Sequence, residues 1–245
     1  MEALEQTFYD LLKKIPIINI MINNVGLGED LVVFGGAVRE FLATKGKIES
    51  IDTYIHPDEE GVLHLHDIDI FTSDMNLIHK LTDLKDIRIQ TKGYKGEIDP
   101  VVYVWKLHYK EIHIDLCCYN NISSLTTDVD VNSLYFDFKH KQFHYINGTE
   151  EQLINTIENI KNKQMTLLQT PETLKNSRFL SKSFHLYRLA KMWKLGYRPK
   201  DRQQFIEMYR FLNPDGNTKY SYPSTQFVWP IVDTSKEMKE FCGNS

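Results

Sequence analysis

The residues best suited to chemistry are carboxylates at fixed spacing. In LHDIDIFTSD, Asp67 and Asp69 flank Ile68. Side chains alternate along a strand, so Asp67 and Asp69 share one face while Ile68 and Ile70 take the other. Two carboxylates about 7 Å apart on one face repel unless a cation sits between them. Hard divalent ions such as Mg²⁺ favour such oxygen ligands. EIHIDLCCY supplies a third carboxylate. Ile112, Ile114 and Leu116 form an apolar face, and Glu111, His113, Asp115 and Cys117 share the opposite one. If this strand lies beside 65–71, Asp115 completes a cluster suited to two-metal phosphoryl transfer. One ion would activate the attacking hydroxyl, and the other would hold a triphosphate and its leaving pyrophosphate.

Something must bring the phosphates to these carboxylates. VVFGGAVREFL, residues 32–42, runs from a short apolar strand through Gly35-Gly36 into an amphipathic helix with Arg39. A glycine turn lets backbone N–H groups approach a phosphate with no Cβ in the way, and the following helix N-terminus favours anions. A tight turn that needs only positive φ is the other reading of the same pair.

The remaining elements must position these residues. The pattern predicts a helix over 2–14, a break at Pro16 and NNVGLGED, a strand over 31–34 and a helix over 37–44. Residues 45–64 read as a polar inserted loop. A strand follows over 65–72 and a helix over 75–83, then strands over 86–91, 101–108 and 111–118. A strand over 131–138 pairs with 142–146 as a hairpin. From Thr149 the pattern turns helical, over 149–162, 172–195 and 201–211. The division is an α/β head over 1–148 and a helical region over 149–245.

The 245 residues suffice for a sizeable core. No apolar run is long enough to span a membrane, and the acidic amphipathic N-terminus is unlike a signal peptide. Three cysteines, two of them adjacent, suggest no disulfide framework, so a reducing, cytoplasmic setting is expected. Charge is uneven. Residues 1–150 hold 14 Lys and Arg against 24 Asp and Glu, whereas 151–210 hold 12 against 5. The basic stretch is either a solvated helical face or a surface for a polyanion. His64 and His66 sit beside the aspartates as histidines tuned by carboxylates, or less simply as zinc ligands. Tyr220, Tyr222, Phe227 and Trp229 form an aromatic tail that straps the helices or stacks bases.

Taken together, the motifs resemble the nucleotidyltransferase superfamily, most closely the head domain of the class II CCA-adding enzyme and bacterial-type poly(A) polymerase family. Phe34-Gly35-Gly36-Ala37-Val38-Arg39-Glu40 resembles its G-G-x-V-R-D. His66-Asp67-Ile68-Asp69-Ile70-Phe71-Thr72 resembles its D-I-D-I-x-T. The stretch from Asp128 to Tyr135 resembles R-D-F-T-I-N-A-L-A-Y, with Asp128 and Asn132 in register. Asp115 falls where the family has its third carboxylate, and Arg188 to Met192 is similar to the neck pattern R-A-x-R-F. The likeness covers roughly residues 20–200.

The resemblance implies an α+β fold: a polymerase-beta-like mixed-sheet head, then a helical neck and body. It implies that Asp67, Asp69 and Asp115 ligate two Mg²⁺ and that Gly35 and Gly36 cradle the triphosphate of an NTP. Arg39 would contact phosphate or hold the site together. Asp128, Asn132 and Arg188 would lie at the nucleotide. The reaction would transfer a nucleoside monophosphate, with the 3′ end of an RNA as acceptor and Lys182, Lys191, Lys194 and Arg198 meeting that RNA. Two other readings stay open. One is transfer to a protein, a small molecule or a tRNA by a toxin-like modifier, and the other is a non-catalytic nucleotide-binding subunit. The chain also departs from the pattern. Glu40 replaces Asp, Thr127 replaces Arg, and the neck positions that read the incoming base as E-D-x-x-R hold Ser181, Lys182 and His185.

Overall fold

The structure is a computed structural model that describes residues 1–44, 55–57, 63–65, 68–82, 87–91, 101–109, 112–119, 122–125, 127–176, 182–214 and 232–243. The chain divides into two compact units. The first comprises residues 1–126 and 131–161, and opens with helices α1 (Glu2–Lys13) and α2 (Pro16–Asn24). The break expected at Pro16 is a helix start. Proline has no N–H to lose in the first turn, and its fixed φ suits that position. Strand β1 (Leu31–Phe34) leads through Gly35 into α3 (Gly36–Ala43). In and just after the expected inserted loop, β2 (Ile55–Pro57) and β3 (Leu63–Leu65) pair antiparallel. Of the strand expected over 65–72, Leu65 ends β3 and β4 runs from Ile68 to Thr72. Then follow α4 (Leu77–Thr82), β5 (Ile87–Thr91), β6 (Val101–Tyr109), β7 (Ile112–Tyr119), β8 (Leu134–Asp137), β9 (Gln142–Tyr145) and α5 (Glu150–Lys161).

Among the described residues, seven strands make one mixed sheet in the order β5-β6-β7-β4-β1-β8-β9. In this sheet β4 and β7 run parallel, and the other neighbouring pairs are antiparallel. Register separates the two faces of the sheet. Leu116, Ile70, Val33, Phe136 and Phe143 are partners in one continuous row, all buried. The helices cover that face. Phe8 of α1 lies 4.5 Å from the Phe41 ring, 5.1 Å from Phe136 and 5.4 Å from Phe143, and is wholly buried. The end of β4 is pinned to the loop before β1. Thr72 donates to the Asp30 carbonyl at 2.9 Å, and Asp74 accepts from the Gly26 and Asn76 amides at 2.9 Å each.

The second unit joins Thr127–Asp130 to residues 162–245. The tetrapeptide is stitched to 166–169: Asp130 N–H donates to the Thr166 carbonyl at 3.0 Å, and Leu168 N–H to the Asp128 carbonyl at 2.9 Å. Strands β10 (Gln164–Met165) and β11 (Arg198–Pro199) pair in parallel. The helices are α6 (Pro171–Asn176), α7 (Lys182–Lys194), α8 (Arg202–Leu212) and α9 (Val232–Phe241). The sequence pattern predicts one helix over 172–195 and none at α9; residues 177–181 and the aromatic tail from Tyr220 to Trp229 lie outside the described residues. Trp193 is the hub of this unit. Its ring lies 5.5 Å from Phe205 and 5.0 Å from Phe241, and its Nε1 donates to Glu237 at 3.0 Å. Among the described residues no helix is long and apolar enough to cross a membrane.

Because Phe8 fills the space between α1, α3 and the sheet, Phe8→Ala should cost about 3–5 kcal/mol. Urea unfolding followed by circular dichroism measures this. A loss below about 1 kcal/mol would contradict the packing described.

Candidate active site

The sheet face opposite the helices carries the polar groups. Parallel pairing of β4 with β7 makes Asp69 and Asp115 register partners. Neighbouring strands lie about 4.8 Å apart, so the two carboxylates leave adjacent backbones on the same side. The same row continues outward through the strands. Asp115 is the partner of Lys106 on β6, and Asp69 is the partner of Phe34 on β1, which in turn faces Tyr135 on β8. Lys106 Nζ lies 3.7 Å from Asp115 Oδ2. Asp67 lies outside the described residues, as do His66 and Ser181.

The row below is apolar. Val32, Phe71, Cys117 and Tyr119 form a small buried cluster, and Ile122 and Leu125 pack against it. The carboxylates thus stand at the edge of a dry patch. Burial, then the negative charges of Asp69 and Asp115, push the Cys117 thiol well above its ordinary value. Burial first and the neighbouring Cys117 and Asp69 second do the same to the Tyr119 hydroxyl. Both groups therefore stay protonated and neutral, and Cys117 is not a nucleophile here.

Gly35 links the turn to this pair. Its φ is +71° and its ψ −128°, a conformation that favours glycine. A Cβ built there would sit 3.3 Å from Asp69 Oδ2, inside the approach to the carboxylate. The Gly35 N–H donates to the Leu134 carbonyl at 3.3 Å, so that donor already has a partner in the turn. The first turn of α3 begins beside Asp69 and presents the positive end of its helix dipole. Arg39, one turn on, is buried. Its Nη1 donates to Asn132 Oδ1 and its Nε pairs with Glu40 at 3.1 Å. Glu40 thus holds the arginine from its own helix. The structure brings together Gly35, Gly36, Arg39, Asn132, Asp69 and Asp115 within the first unit.

Asp128 and Arg188 belong to the second unit. Arg188 Nε pairs with Asp128 Oδ2 at 2.6 Å. His185 lies near both. Burial lowers its pKa, Asp128 opposes that and Arg188 adds to it, so the ring is neutral at neutral pH. Asp128 and His185 line a small cavity with Leu167, Gln169 and Met208. The basic residues do not form one stripe. Lys191 and Lys194 are exposed and three residues apart on α7, but Lys182 is nine residues from Lys191 and so points to the other side. Lys182 Nζ sits 4.2 Å over the Phe211 ring. Arg198 stacks 4.1 Å over Trp193 and donates to two backbone carbonyls.

The donor set fits a hard divalent ion: two carboxylates in register, and an approach that a Cβ at Gly35 would fill. Among the described residues no group of three His, Cys, Asp or Glu is placed to share a metal. Sequence reasoning missed Lys106. Antiparallel pairing that sets Tyr109 against Ile112 puts Lys106 opposite Asp115, so counting along the two strands would have found it.

The turn itself is testable. Gly35→Ala should cost about 1–3 kcal/mol, because the conformation is strained for any residue with a Cβ. Gly36→Ala, whose Cβ would meet only the Arg39 side chain at 3.7 Å, should cost less than about 0.5 kcal/mol. Urea denaturation compares them; equal losses would contradict the geometry.

Solved structures share this architecture. An apo CCA-adding enzyme aligns with a TM-score of 0.54 at 12% identity, over 96% of this chain and 53% of its own. A CCA-adding enzyme in complex with ATP gives 0.51 at 12%, over 98% and 52%. The Thermotoga maritima CCA-adding enzyme complexed with tRNA gives 0.50 at 12%, over 96% and 53%. This chain spans about half the length of those proteins. No protein-family profile and no curated protein matches the sequence. The likeness is one of fold: the chain shares the mixed-sheet architecture of these solved CCA-adding enzymes.

Proposed function

We propose that this chain is a Mg²⁺-dependent nucleotidyltransferase that moves a nucleoside monophosphate from an NTP to the 3′ end of an RNA, in the cytoplasm. The single observation behind this reading is the register pairing of Asp69 with Asp115 beside the Gly35 turn. Asp67, Asp69 and Asp115 would hold two Mg²⁺. When bound, the ions lower the pKa of the acceptor hydroxyl and neutralise charge on the triphosphate. The chain's own residues do the positioning. Asp69 and Asp115 fix where the α-phosphate and the acceptor oxygen meet. Gly35 and Gly36 keep the approach open, and the α3 N-terminus attracts the phosphates. Arg39 is buried against Asn132 and Glu40, which fits a brace that holds α3 over the sheet edge better than a phosphate contact. The 3′ oxygen bonds to the α-phosphorus, the bond to pyrophosphate breaks, and the hydroxyl proton passes to solvent. In the second unit the nucleotide-binding candidates are Asp128 and Arg188, which pair with each other.

The RNA acceptor rests on the basic stretch 151–210 and on exposed Lys191 and Lys194. A second reading, transfer to a protein or small molecule, is favoured by Lys182 and Arg198. Both are engaged with aromatic rings rather than offered to a polyanion. Incubation with Mg²⁺, each α-labelled NTP and a mixed small-RNA pool distinguishes the two. Label should enter RNA, and Asp69→Asn and Asp115→Asn should each lower the rate about a hundredfold or more. Label on protein or a small molecule favours the second reading. Label in RNA that survives both substitutions contradicts the proposed site.

A further inference from the structure

Lys106 is the one charged residue in the strand VVYVWKLHY. Its Nζ lies 3.7 Å from Asp115 Oδ2, and the two are cross-strand partners. The lysine side chain is 42% exposed and the aspartate 22%. The pair therefore lies at the sheet surface, with room for a long stem to move. Trp105 and Leu107 flank it in the strand, with Val104 packed on the apolar cluster below.

A carboxylate beside an ammonium group is already partly neutralised, and a divalent ion on the same carboxylate would lie close to a like charge. We infer that Lys106 is a positioning residue that holds Asp115 until substrate arrives, weakens divalent-metal binding in the empty site, and then transfers its charge to a phosphate of the incoming nucleotide. This inference rests on the carboxylate site proposed above. An ordinary cross-strand ion pair would contribute to folding alone. The lysine inference differs because it couples two ligands. Nucleotide phosphate draws the ammonium from Asp115, and the freed carboxylate then binds metal more strongly. A site of this kind loads its metal fully only with nucleotide present.

Mn²⁺ binding followed by electron paramagnetic resonance, without nucleotide, reads this directly in the full chain. Lys106→Met should tighten Mn²⁺ binding about tenfold, and Lys106→Arg should leave it close to wild type. In the Lys106→Met variant, equilibrium binding of labelled ATP without metal should weaken several-fold. Circular dichroism confirms folding, and Lys106→Gln replaces Lys106→Met if that variant unfolds. Mn²⁺ affinity unchanged or weakened in the neutral variants, while Asp115→Asn still weakens it in the wild-type background, overturns the lysine inference alone. Mn²⁺ binding that is absent even in Lys106→Met, or indifferent to both Asp69→Asn and Asp115→Asn, overturns the carboxylate site and the lysine inference together.

Discussion

Parallel pairing of β4 with β7 sets two like charges side by side, and the rest of the first unit is arranged around that constraint. Two ionised carboxylates on adjacent strands raise the free energy of the fold unless a cation compensates. Here Lys106 lies against one of them from the next strand. The opposite face supplies the stabilisation that such a row cannot. Ile70, Leu116, Val33, Phe136 and Phe143 are buried beneath the helices, and Phe8 and Phe41 close over them. One face of the sheet is apolar along this row, and the other sets Asp69 and Asp115 beside a smaller buried cluster of Val32, Phe71, Cys117 and Tyr119.

The turn after β1 depends on the same constraint. Antiparallel pairing of β1 with β4 brings Phe34 level with Asp69, so the chain leaving β1 must pass the carboxylate closely. Only a residue without Cβ passes without crowding Asp69 Oδ2, and Gly35 also supplies the positive φ. The helix that follows is then held down by a buried guanidinium. Arg39 reaches Asn132 just before β8, joining the two sides of the turn through a charge-assisted hydrogen bond. A buried arginine left without these partners would be costly, so Asn132 and Glu40 are part of the same device.

Much of this arrangement is legible in the chain, and the reasons are specific. Ile68 and Ile70 against Asp69, and Ile114 and Leu116 against Asp115, show period-two alternation, which assigns each side chain to a face from the residue order alone. Gly35-Gly36 between a strand and a helix marks a turn for a backbone reason. What alternation cannot give is which strand lies beside which. The pairing that joins Asp69 to Asp115 crosses from β4 to β7, with β5 and β6 between them in sequence. Local pattern also misleads at Pro16, where a residue that breaks helices in mid-run instead starts α2. The Arg188–Asp128 pair spans 60 residues and leaves no trace in local spacing. The helix α9 follows a turn-rich, aromatic stretch, and its ten residues are too few to announce a helix against that background.

The central claim is that Asp69 and Asp115 share a divalent ion at the foot of the α3 turn. Diffraction from crystals grown with Mn²⁺ and a non-hydrolysable NTP, at the manganese absorption edge, tests it most directly. The expected result is an anomalous peak within about 2.3 Å of an oxygen from each carboxylate, with the triphosphate against the Gly35 turn. Nucleotide bound with no metal between Asp69 and Asp115 would contradict it.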